Sequence, residues 1–252
     1  MNRPKGILID IDGVLLQDGS PIHGSINKLN TLKEHCKIRL LTNTTTQTVS
    51  AIHLQLTSHG FLVEEKDIIN APLAAVSALK QLGLHRIHPI VDKRILSDFS
   101  EFEQDVHTPE AIIIGDIGDT WDYALLNTLF TQVMEGATII ALHKGKYWKK
   151  EGKLQLDIGL FVAGLEYATG KEALVTGKPS GPFFDAALQS LDLPAEEVVM
   201  IGDDIENDVE GAQKVGIKGI LVQTGKYNQD FVERSNITPH KIIKSFNNFS
   251  LF

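Results

Sequence analysis

The chain has 252 residues, 42% of them hydrophobic, which suits one large or two modest domains with a real core, and no run of about 18 apolar residues suggests a membrane span. Its formal charge of −8 argues against a nucleic-acid or membrane partner, since both want clustered Lys and Arg. Cys36 is the sole cysteine, so no intrachain disulfide can form and a cytoplasmic home fits; with a strand expected from about residue 6, no secretory leader is expected.

The predicted elements alternate in type along the chain. "GILIDID" (residues 6–12) is short, apolar and Ile-rich, which predicts a buried strand. "SINKLNTLKEHC" (25–36) places Ile26, Leu29, Leu32 and Cys36 at helical spacing, and "KIRLLTN" (37–43) returns as a strand. A helix over 48–60 stops at Gly60, a short strand "KDIIN" (66–70) follows, and Pro72 opens a helix over 72–83. Strands are then predicted in "PEAIIIGD" (109–116), "ATIIALH" (137–143), "ALVTG" (173–177), "EVVMIGDD" (197–204) and "KGILVQT" (218–224), with helices between several of them. This rhythm implies βαβ units and a largely parallel sheet. No repeat or Gly/Ser linker divides the chain, so any second domain must be an insertion.

Polar residues gather where these strands end. Asp10 and Asp12 lie two residues apart and so share a face of a continued strand, and Gly13 lets the chain turn beyond them. Ligands in open α/β sheets bind outside the carboxyl ends of strands. Taken alone, the two acids could be solvated turn residues. Thr42 and Asn43 end the second strand with groups that donate to phosphate oxygens, although such a cluster also caps helices. Lys178 stands between a strand and a helix, and lysine is a good point-charge partner of phosphate. It is not a Walker loop, because Glu172 stands where the first glycine belongs and Pro179 where Ser or Thr belongs. Asp203, Asp204 and Asp208 follow the apolar "VVMIG", and converging carboxylates supply the hard oxygens that Mg²⁺ takes; capping of the next helix is the competing explanation.

In this order, "DIDGV" (10–14), "TN" (42–43), "GKP" (177–179) and "GDDIEND" (202–208) resemble the haloacid dehalogenase superfamily of Asp-dependent phosphohydrolases. The stretch between Asn43 and Lys178 is too long for a core connection and looks like the inserted cap of the NagD-type branch. Within that branch, residues 143–180 look close to the phospholysine phosphohistidine inorganic pyrophosphate phosphatases and their paralogues, while Thr44 replaces the second Asn of the branch's T-N-N. The resemblance implies a Rossmann-like parallel-sheet core over 1–71 plus 173–252, with an α/β cap over 72–172. It also implies Asp10 as nucleophile, Asp12 as acid and base, and Mg²⁺ on Asp10, Asp203 and the Asp12 backbone carbonyl. Thr42, Asn43 and Lys178 would hold the phosphate. Asp208 or Asp204 would support Lys178 or a metal-bound water; spacing does not separate the two. A small phosphorylated substrate and a homodimer through the cap are the implied partners.

Other functions stay open at this stage. A phosphotransferase or phosphomutase could use the same aspartyl-phosphate, and a non-catalytic binding protein could keep the surface. A metal-dependent glycosyltransferase would leave Lys178 and the Asp203–Asp208 cluster unexplained. Inside the cap, "IIIGDIGDTWDYALLN" (112–127) imitates the last motif with Asp116 and Asp119. We read it instead as the start of a helix whose apolar stripe is Trp121, Leu125, Leu126 and Leu129, capped by Asp119 or Thr120. His85 and His88 are expected on a strand surface. The basic "KGKYWKK" (144–150) is read as a loop reaching toward an anionic substrate or as a solvated hairpin.

Overall fold

A computed structural model describes residues 3–150 and 153–251. The chain divides into two compact units. One takes the chain up to Thr42, then Val49–Ile69, then everything from Lys178 onward; the other takes Asn43–Thr48 and Asn70–Gly177.

The first unit is built on a six-stranded sheet. Its spatial order is Lys241–Ile243, Lys218–Val222, Val198–Gly202, Gly6–Asp10, Lys37–Thr42, Ile68–Asn70. Gly6 pairs in parallel with Val198 on one side and Lys37 on the other. Ile7, Leu8 and Ile9 are fully buried, the expected state of a central strand with both faces covered. On one face Ile7, Ile9, Leu40 and Ile201 meet Leu29 and Leu32 of the helix Ser25–Lys33 and Ile52 and Leu56 of the helix Val49–Ser58. From Gly6–Asp10 the chain steps outward through Lys37–Thr42 to Ile68–Asn70, whereas from Val198–Gly202 it steps the opposite way. The strand order therefore reverses between Asp10 and Gly202, and the loops that leave these two strands diverge to open a crevice.

The second unit has its own five-stranded sheet, ordered Leu174–Val175, Thr138–Ala141, Ala111–Ile114, Arg86–Ile90, Glu103–Gln104, with neighbouring strands paired in parallel. Ile113 and Ile140 pack with Val76 and Leu79 of the helix Ala71–Leu82; Ile112 and Ile139 pack with Leu129, Val133, Val162 and Leu165. Asn70 caps Ala71–Leu82, its Oδ1 accepting from the Leu73 amide at 2.9 Å. An antiparallel hairpin, Tyr147–Lys150 with Lys153–Leu156, carries most of the basic "KGKYWKK" segment. The side chains of Trp148, Lys149, Lys150, Lys153 and Leu154, and Glu151 and Gly152, lie outside the described residues.

Two local expectations are corrected. The helix after the Asp116 turn begins at Tyr123, not at Trp121, and its cap is Asp122, whose Oδ1 accepts from the Leu125 amide at 2.7 Å. Trp121 instead stacks flat on Phe161, with ring centroids 4.1 Å apart. His88 is not a bare surface residue either. It is half-buried, with its Nδ1 3.0 Å from Oε1 of Gln132, which in turn donates to the Val106 carbonyl at 2.8 Å.

Candidate active site

Four side chains of the first unit meet at the crevice. Asp10 is the last residue of its strand and 6% exposed, and Lys178, 4% exposed, begins the link to the helix Gly181–Leu191. Asp203 follows Val198–Gly202 directly, and Asp208 lies one wide π-helical turn later, in Ile205–Glu210. Such turns often occur at functional sites, and here the turn brings a second carboxylate back toward the strand end. Lys178 Nζ donates to Asp10 Oδ1 and, at 2.6 Å, to Asp208 Oδ1. One carboxylate oxygen from each of Asp10, Asp203 and Asp208 lies within 4.8 Å of the others.

Asp204 and Asp208 do different work. The Asp204 carboxylate turns back onto its own loop and accepts from the Glu206 amide at 3.1 Å, the Asn207 amide at 3.0 Å and Asn207 Nδ2 at 2.7 Å. It holds the turn, while Asp208 holds Lys178. Asp12 lies past the strand end and stays exposed, accepting a hydrogen bond from the Thr42 hydroxyl. Its carboxylate is not part of the close trio. Asn43, next in the chain after Thr42, is grouped with the second unit.

Three carboxylates and one ammonium in a buried place leave an excess of negative charge. Burial first, then repulsion from Asp208 and Asp203, pushes the Asp10 carboxyl well above its ordinary range, with Lys178 opposing. Burial, then the Asp208 charge, lifts Asp203 to about 7. Burial alone would lower Lys178, but Asp10 and Asp208 outweigh it and the ammonium is held firmly charged. Partial desolvation raises Asp12, while Lys178, Lys226 and the Thr42 hydroxyl pull against the rise. A buried excess of carboxylate oxygens is the donor set of a hard divalent cation, and Mg²⁺ fits it.

The sequence reading passed over the loop after Lys218–Val222. The Thr224 hydroxyl donates to the Gly13 carbonyl at 2.5 Å, and the Lys226 amide donates to Asp203 Oδ2 at 2.7 Å. The available signal was position alone, since "TGK" follows a buried strand at the same sheet edge as the acids.

A haloacid dehalogenase-like hydrolase model matches residues 7–104, and a HAD-hydrolase-like model matches residues 175–249. The chain is 38% identical over 245 residues to haloacid dehalogenase-like hydrolase domain-containing protein 2 of Rattus norvegicus, covering 96% of this chain and 93% of that one. It is 37% identical over 230 residues to the phospholysine phosphohistidine inorganic pyrophosphate phosphatase of Homo sapiens, covering 88% and 84%. Among solved structures, NagD from E. coli superimposes with a TM-score of 0.89 at 22% identity, covering 100% of both chains, a likeness of fold.

Proposed function

Because the chain belongs to the haloacid dehalogenase-like hydrolases, we propose that it is a Mg²⁺-dependent phosphatase that hydrolyses a small phosphorylated metabolite through an aspartyl-phosphate on Asp10. The observation that carries this reading is the buried convergence of Asp10, Asp203 and Asp208 around Lys178. Lys178 occupies one oxygen of Asp10, which leaves the other to attack phosphorus. As the new oxygen–phosphorus bond forms, the bond to the leaving oxygen breaks, and Asp12 supplies that oxygen with a proton. Asp12 then takes a proton from the water that attacks the aspartyl-phosphate, and the bond from Asp10 to phosphorus breaks. Mg²⁺, held by Asp10, Asp203 and the Asp12 backbone carbonyl, would neutralise charge on the transferring phosphoryl group. Lys178 adds a fixed positive charge on the same group, positioned by Asp208. Thr42 and the amide of Asn43 are the proposed holders of the non-bridging oxygens, and Asp204 supports the turn that presents Asp208.

The inserted unit is proposed as the cap that chooses among phosphate esters, since the residues above address only phosphate and cation. It is also the proposed homodimer surface. Its helix Gly159–Thr169 buries Val162 and Leu165 yet leaves Leu160 and Tyr167 exposed, and its hairpin exposes Tyr147 and Leu156. Among the described residues no helix is long and apolar enough to cross a membrane, and a cytoplasmic location fits the single free Cys36. The test is Asp10→Asn assayed on p-nitrophenyl phosphate with Mg²⁺. Turnover is expected to fall to background while the fold persists, and near-wild-type turnover would overturn the mechanism. Adding an alcohol acceptor to the wild-type assay separates hydrolysis from phosphotransfer.

A further inference from the structure

Lys226 has no part in the proposed reaction, yet its loop is fastened to the site by its main chain and by Thr224. Its amide holds Asp203 Oδ2 at 2.7 Å, and the neighbouring Thr224 hydroxyl ties the loop to the Gly13 carbonyl at 2.5 Å. Gly13 and Gly225 close around the same carboxylate in left-handed conformations, φ +87 and +60; a Cβ on either would fall 1.9 Å from Asp203 Oδ2. All of this fastening is made by the main chain and by Thr224, so the Lys226 ammonium is free of it.

That ammonium is carried on a side chain 71% exposed, rooted in the loop whose amide holds Asp203. Its ion pair with Asp204 is long, 3.5 Å from Nζ to Oδ2, and Asp204 already takes three hydrogen bonds from Glu206 and Asn207. The lysine end of this pair is exposed, so at this long separation its ammonium can turn to another anion at little cost. The Lys226 charge is also felt at Asp12, the residue that protonates the leaving oxygen in the proposed reaction. A leaving group protonated by Asp12 therefore lies within the field of a cation on a long stem, rooted in a loop tied to Gly13 and Asp203.

We propose that Lys226 is a specificity-determining residue that favours phosphate esters whose leaving group carries its own negative charge, by forming an ion pair with that charge at the rim of the site. The inference rests on the phosphatase reading. Replacing the side chain keeps the amide that holds Asp203, so Lys226→Met removes the ammonium and leaves that hydrogen bond in place.

The test compares phenyl phosphate with 4-carboxyphenyl phosphate, in Mg²⁺, for the wild type, Lys226→Met and Lys226→Arg. The wild type should prefer the carboxylated ester in kcat/KM. Lys226→Met should cut that preference roughly threefold to fivefold, mainly through KM, and Lys226→Arg should keep it. Raising the salt from about 20 mM to about 500 mM should erode the wild-type preference, as screening of an exposed pair requires. If the wild type hydrolyses both esters and Lys226→Met leaves their ratio unchanged, the inference is overturned and the phosphatase reading stands. If the wild type hydrolyses neither ester, both fall together.

Discussion

Lys178 stands at the balance point of the site. It is one ammonium among three carboxylates, all buried, and it contacts two of them directly. Removing one member of a buried charge set costs about 3–5 kcal/mol when the rest is left uncompensated. Lys178→Met should therefore lower stability by about that amount at neutral pH, read as a shift of the urea midpoint. Under the proposed cofactor assignment, added Mg²⁺ should restore part of the loss, since a cation held by the folded carboxylates and not by the unfolded chain stabilises the fold. Activity should fall on the order of 10²–10³-fold, the usual effect of deleting a fixed electrostatic donor. A variant as stable and as active as the wild type would remove Lys178 from the centre. Most of the acids in this cluster were legible in the sequence, because each follows an apolar strand. The separate duties of Asp204 and Asp208 were not, since only the π turn decides which carboxylate points back to Lys178.

At the scale of single elements, the long apolar strands were the easiest to read. Ala111–Ile114 and Val198–Gly202 are buried along their whole length, so composition alone reveals them. The start of the helix Tyr123–Met134 was misplaced because three polar residues before it could each cap, and Trp121 fits the helical spacing while packing on Phe161 instead. With Asp122 identified as the cap, Asp122→Ala should cost about 1 kcal/mol of stability, and Asp119→Ala close to nothing. Equal thermal shifts in the two variants would contradict the assignment. A second local device is Asp105, which accepts from the His107 amide at 2.7 Å, the Thr108 hydroxyl at 2.8 Å and the Thr108 amide at 3.1 Å. These bonds, the His107 amide first, hold its carboxyl down at about 2 against an ordinary 3.8. A depressed acid adds stability above its unfolded pKa and loses it as pH falls through the folded one. The stability gap between wild type and Asp105→Ala should thus be full at pH about 6 and narrower at pH about 3, by urea titration. A gap that widened on acidification would refute this account.

At the scale of the whole molecule, the α/β class and the parallel sheets followed from the alternation of elements, and the strand reversal beside Asp10 is what gathers distant motifs into one place. What alternation could not convey is which surfaces stay uncovered. The helix Gly159–Thr169 is apolar around most of its circumference, yet only the side bearing Val162 and Leu165 is buried, and Tyr167 is 93% exposed. Tyr147 and Leu156 face each other across the hairpin and are exposed as well. A helix that is apolar on every side normally has neighbours on every side. A stable interface buries about 800 Å² per partner, which takes a cluster of such residues rather than one. The chain should therefore run at twice its own mass in light scattering at micromolar concentration. Leu160→Asp combined with Tyr167→Asp should halve that mass while leaving the far-ultraviolet circular dichroism unchanged, because both side chains are exposed and support no core. A wild type that scatters as a monomer would dispose of the dimer proposal. A dimer indifferent to the double substitution would place the interface on a different surface of the molecule.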